Sequence, residues 1–229
     1  MDLRDKSKKS AKKNALASQS ECAPFTQKWR YNFGMADSLD DIGELAKKAG
    51  AAMQEIQDYI GDQTYVSEAR VRFPRSYVRT TANIYATLPQ LGDNTKRRNL
   101  AYQLMRADMC RWLLTRTDVW GQIESVVVLE FICILAYGVE FFVKSRTYKQ
   151  VRRQNKFSTH TQWLVDKGII DGALKDDLDW MWDIRTHEHL DATDELRHCT
   201  HGRNDCNRAV GAWNDFRQAL HEDVVRQFE

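Results

Sequence analysis

The chain has 229 residues and a mass of 26.7 kDa, room for one large domain or two small ones. Its 34 basic and 32 acidic residues nearly cancel, so the mean field selects no partner, and three prolines with eleven glycines are too few for an all-β domain full of tight turns. Five scattered cysteines (Cys22, Cys110, Cys133, Cys199 and Cys206) form no disulfide framework and fit a reducing compartment.

Residues 1–20 carry Arg4, Lys6, Lys8, Lys9, Lys12 and Lys13 against Asp2 and Asp5, with few large apolar side chains, and read as a disordered basic arm. No signal peptide is evident, and a cytoplasmic location is expected. Leu39, Ile42, Leu45, Ala49, Met53, Ile56 and Ile60 step by three or four and predict an amphipathic helix over 37–59, capped by Asp37 or Ser38 and ended by Gly61. Residues 64–88 look helical but are interrupted by Pro74 and stopped near Pro89. Leu91-Gly92-Asp93-Asn94 is a turn, and a helix over 95–114 follows, with Leu100, Leu104, Ala107 and Leu114 in register.

A long helix is expected over 119–145, capped by Asp118 and apolar all the way round, as befits a helix surrounded by others. Glu130 and Glu140 lie inside its most apolar stretch, which argues for a buried helix of a soluble protein and against a membrane span. Short and longer helices are predicted over 158–168 and 171–190. A polar loop over 191–203 leads to a last helix over 205–228. The whole reads as an all-α, up-and-down bundle around a long buried central helix, with residues 21–229 as a single helical domain.

No phosphate loop, nucleophile elbow or paired Glu-x-x-His motif is present. The unusual feature is local: His187, His189, His198 and His201 fall within 15 residues, beside Arg185, Arg197, Arg203, Cys199 and Cys206. His198, Cys199, His201 and Cys206 would supply zinc ligands, yet the spacing fits no metal template, so no metal and no cofactor are expected. Arg185 and His189 are four apart and would share a helical face. A guanidinium that holds phosphate beside an imidazole that moves a proton suits RNA cleavage by the neighbouring 2′-hydroxyl. His187 and Glu188 lie within the same stretch as supporting groups, and Arg197 with His201 repeats the spacing as a rival site. A bland reading of the pair as a surface ladder at a helix end stands beside these. Glu140 needs a partner at its apolar position, and Arg185 on a neighbouring helix is suited to the role. Trp163, Trp180, Trp182 and Trp213 are candidates for base stacking or for the core.

Three stretches carry a resemblance to the HEPN superfamily of small helical domains, covering about residues 95–228. They are Arg111-Trp112-Leu113-Leu114-Thr115-Arg116-Thr117-Asp118, then Tyr137-Gly138-Val139-Glu140, and lastly the run from Leu178 to Leu190 containing Asp183-Ile184-Arg185-Thr186-His187-Glu188-His189. The last is similar to the family's Arg-polar-x-x-x-His signature, with three residues between Arg and His where the family leaves four or more. The resemblance implies a metal-independent endoribonuclease or RNA-binding protein of a prokaryotic toxin–antitoxin or anti-phage system. It also implies a homodimer that pairs two Arg–His sets, expected through 172–205, and a cognate antitoxin or defence partner. A non-catalytic helical module that binds a protein partner is the alternative.

Overall fold

The computed structural model describes residues 38–63, 66–71, 76–89, 91, 93–147, 151, 156–186 and 200–226. Among them the regular structure is entirely helical, with no strand. The chain divides into two compact units, Met1–Arg72 and Phe73–Glu229, a boundary that falls next to the breaker Pro74. The basic arm expected over 1–20 lies outside the described residues.

In the first unit α1 runs over Leu39–Ile60. Its start is a reciprocal cap: Asp41 N donates to Ser38 Oγ at 3.2 Å, and Ser38 N donates to the Asp41 carboxylate at 3.1 Å. A single 3₁₀ turn, Ser67–Ala69, follows.

The second unit holds α2 (Thr81–Ala86), α3 (Asn94–Arg116), α4 (Gln122–Thr147), α5 (Phe157–Asp166), α6 (Gly172–Thr186) and α7 (Arg203–Arg226). Among the described residues, the helical stretch expected over 64–88 is thus reduced to the 3₁₀ turn and the two turns of α2. Arg79 explains part of the loss. Its backbone N–H donates to Asp108 Oδ2 at 3.0 Å and its guanidinium grips both carboxylate oxygens, which ties the chain to α3 instead of to a helix of its own. Asp93 caps α3 by accepting from Thr95 N and Lys96 N. The central helix begins at Gln122, not at Asp118.

The core lies around α4, which packs against α3, α5, α6 and α7. Thirteen of its residues are buried, Val128, Ile132, Val139 and Val143 completely. It is long and apolar enough to cross a membrane by length and composition, yet two thirds (67%) of that window is buried within the bundle, as in a core helix. Gly138 sets its distance from α7, since a Cβ there would stand 2.7 and 2.9 Å from the Trp213 ring. The turn from α5 into α6 closes on Gly168 at φ 63°: Ile169 N reaches Leu164 O and Gly168 N reaches Val165 O, a cap that needs the left-handed conformation glycine adopts freely. Asp171 then accepts from Leu174 N and starts α6.

Candidate functional site

The side chains that matter lie where α6 crosses α4. On α4 the sequence Tyr137-Gly138-Val139-Glu140-Phe141-Phe142-Val143-Lys144 puts Tyr137, Glu140 and Lys144 on one face by steps of three and four. On α6 Trp182 and Arg185 are three apart and face them.

Arg185 Nη1 donates to Glu140 Oε2 at 2.8 Å, while Lys144 Nζ binds Glu140 Oε1. The guanidinium carbon stands 3.9 Å from the Tyr137 ring centroid and 4.7 Å from that of Trp182, so both rings contribute cation–π attraction. The Trp182 ring also stacks on Phe157 at 4.7 Å and takes Lys144 at 5.6 Å. The arginine and glutamate side chains keep 20% and 15% of their surface, and Arg185 Nε is buried with no hydrogen-bond partner among the described residues. Two cations share one carboxylate, so the trio carries a net positive charge and retains attraction for an anion.

This geometry gives Glu140 the partner its apolar setting requires. It also uses the rings that the sequence offered as stacking platforms: Trp182 is taken by Phe157 and the cations, and Trp180 lies under Arg208 at 4.1 Å. Trp213 is core. A groove of about 500 Å³ opens beside the site, lined by Lys156, Phe157, Ser158, Asp179, Trp180, Trp182 and Asp183. Lys144 was not singled out from the sequence, although its i,i+4 spacing from Glu140 was the available signal.

His187, Glu188, His189, Arg197, His198 and Cys199 lie outside the described residues, so the Arg185–His189 spacing has no distance attached to it. His201 is described: it sits just before α7, with Nδ1 3.9 Å from Asp205 Oδ2. Among the described residues no group of three His, Cys, Asp or Glu side chains is disposed to hold a metal. Cys206 and Cys110 are half-buried neighbours. Burial pushes the Cys110 thiol up to about 11, with Glu130 adding to the rise, and burial raises the Cys206 thiol too, against Arg203 and Arg111.

Two further polar clusters brace the bundle. Thr161 Oγ1 donates to Asp179 Oδ1 at 2.7 Å while Lys175 holds Asp179 Oδ2 at 2.9 Å, joining α5 to α6. Thr147 Oγ1 and His160 Nδ1, 2.5 Å apart, join α4 to α5.

Comparison with known proteins returns no match: no family model, no curated protein and no solved structure.

Proposed function

We propose that this chain is a HEPN-like protein of a prokaryotic defence or toxin system that acts on RNA, with Arg185 holding a phosphodiester and His189 moving the proton. One observation carries the reading. Two of the three stretches that bear the resemblance, Tyr137–Glu140 on α4 and the run through Arg185 on α6, meet side chain to side chain.

A guanidinium fixed by Glu140 and by two ring faces is oriented before any ligand arrives, which lowers the entropic cost of holding a phosphate. The positive charge left over on the trio favours that anion. His189 would take the proton of the 2′-hydroxyl while the guanidinium offsets charge on the phosphorane. One imidazole serves one direction of proton transfer. A homodimer meeting through 172–205 would supply the second, and isologous pairs are the commonest assembly. A cytoplasmic location and a cognate antitoxin or defence partner belong to the same reading.

The second reading, a non-catalytic helical module that binds a protein partner, draws on the same geometry. Four fifths of the Arg185 side chain is covered, and its charge is already engaged by Glu140.

The test is incubation of the purified protein with mixed RNA in EDTA, alongside His189→Ala and Arg185→Lys. The RNA-cleaving reading expects wild-type cleavage that His189→Ala abolishes and Arg185→Lys weakens. Retention of RNA on a filter without cleavage leaves RNA binding alone. Neither activity, or equal cleavage by wild type and His189→Ala, removes catalysis at this site.

A further inference from the structure

A groove of about 1,070 Å³ lies between the start of α6 and the last half of α7, within the second unit. Its floor is apolar. Ile170, from the turn between α5 and α6, Leu174 of α6, and Ala219 and Val225 of α7 form it, and Val225 keeps 43% of its surface. The short side chain of Ala219 gives the floor its depth.

The rim is acidic. Asp171, Asp215 and Glu222 stand along it, none of them ion-paired among the described residues, while Asp177 is held by Arg208 at 2.7 Å. Among the described lining residues only Arg226 is basic, so the groove carries a net negative charge. Helix α7 also ends there, and the carbonyls of its last turn add partial negative charge. Asp215, Ala219, Glu222 and Arg226 follow by steps of four, three and four, and so share one face of α7.

We propose that this groove binds a cationic amphipathic helix of a partner protein, with its apolar stripe over Ala219 and its basic residues against Asp215 and Glu222. The charge selects the occupant. RNA and anionic lipid surfaces carry the rim's own sign. A second copy of this chain meeting here about a two-fold axis would set the acidic rim against itself, and like charges brought together at an interface oppose association. A small cation would satisfy the carboxylates and leave the apolar floor wet, whereas a segment bearing both lysines and leucines covers rim and floor together.

The spacing selects the form. Asp215 and Glu222 are two turns apart, about 10 Å along the helix, with Ala219 between them. A partner helix laid along α7 with basic residues at i and i+7 brings both opposite the carboxylates, and its apolar residues at i+3 and i+4 then fall over Ala219. From Asp215 to Arg226 the face runs about 16 Å, room for about three turns of such a helix. Arg185 lies about 20 Å along α6 from Gly172, and the proposal uses no residue of the RNA site.

The experiment is fluorescence anisotropy of the full-length protein with a labelled helical peptide of about 15 residues made of Leu, Ala and Lys, with Lys at i and i+7 and Leu at i+3 and i+4. Saturable binding that weakens with added salt is expected. Asp215→Asn/Glu222→Gln should weaken it roughly fivefold to tenfold, the worth of two exposed ion pairs. Asp58→Asn/Asp118→Asn removes as much charge elsewhere and should leave it unchanged, as should His189→Ala in the RNA site. Ala219→Phe, which fills the floor, should weaken it by on the order of tenfold. A photoreactive leucine at i+3 of the peptide gives a second measurement on the unaltered protein, with cross-links expected in residues 168–174 and 215–226. No saturable binding overturns the proposal. So does equal binding by Asp215→Asn/Glu222→Gln, by Asp58→Asn/Asp118→Asn reduced to the same degree, or by a peptide with its leucines scattered round the helix. A cross-link elsewhere, or displacement of the peptide by oligouridylate, which would give the surface to RNA, overturns it as well.

Discussion

Glutamine at position 140 keeps the shape of the side chain and removes its charge. Arg185 and Lys144 would then converge on a neutral amide, with the arginine four-fifths covered. A charge-assisted hydrogen bond contributes about 1.5–3 kcal/mol, so Glu140→Gln is expected to lower stability by about 2 kcal/mol, read as a lower urea midpoint at unchanged slope. Arg185→Lys should cost stability as well, because an ammonium cannot lie flat between two rings. Cys110 offers a test with a pH sign. Its folded pKa, about 11, stands above the ordinary 9.0 through burial, so the unfolded chain loses this proton first. Stability is therefore complete below pH 9 and declines as pH rises from 9 toward 11. Cys110→Ala should flatten that decline in chemical denaturation, and iodoacetamide at pH 8 should label Cys110 far more slowly in the folded protein than in urea.

At the scale of elements, Gly138→Ala sets two effects against each other. Helix propensity gains about 1 kcal/mol from alanine. Against it, the new methyl would stand within 3 Å of two Trp213 ring atoms, and overpacking of that kind costs about 1–3 kcal/mol. Net destabilisation is expected on thermal unfolding, and Trp213→Leu should relieve it in the double variant. The helices themselves were legible in the sequence wherever apolar periodicity ran long. The expected spans of α1, α3, α4 and α7 agree with the structure to within a few residues at each end. The segment before α2 was not legible, because its fate depends on Asp108, a residue of α3 that no local pattern around Arg79 announces. The candidate site was half legible. A carboxylate in an apolar helix demands a partner, and that demand pointed from Glu140 to Arg185. The ring clamp by Tyr137 and Trp182 required the crossing of α4 and α6, which is tertiary information.

Across the whole molecule, every buried apolar side chain among the described residues belongs to the second unit, from Ile84 onward. A chain beginning at residue 73 should therefore fold, with a melting midpoint within a few degrees of the full-length protein. A midpoint lowered by more than about 10 °C, several kcal/mol for a domain this size, would place stabilising contacts in residues 1–72.

The central position of α4 has a consequence during synthesis. It leaves the ribosome after α3 but before α5, α6 and α7, the helices that cover much of its surface. At 5–20 residues per second, the roughly eighty residues that follow take roughly 4–16 s to make. For those seconds the nascent chain displays a segment as oily as a membrane anchor, with Glu130 already able to meet Arg106 of α3 but Glu140 still waiting for Arg185 of α6. Holdase chaperones and the membrane-targeting machinery would meet the same segment, and the two carboxylates are the features that count against its being mistaken for an anchor.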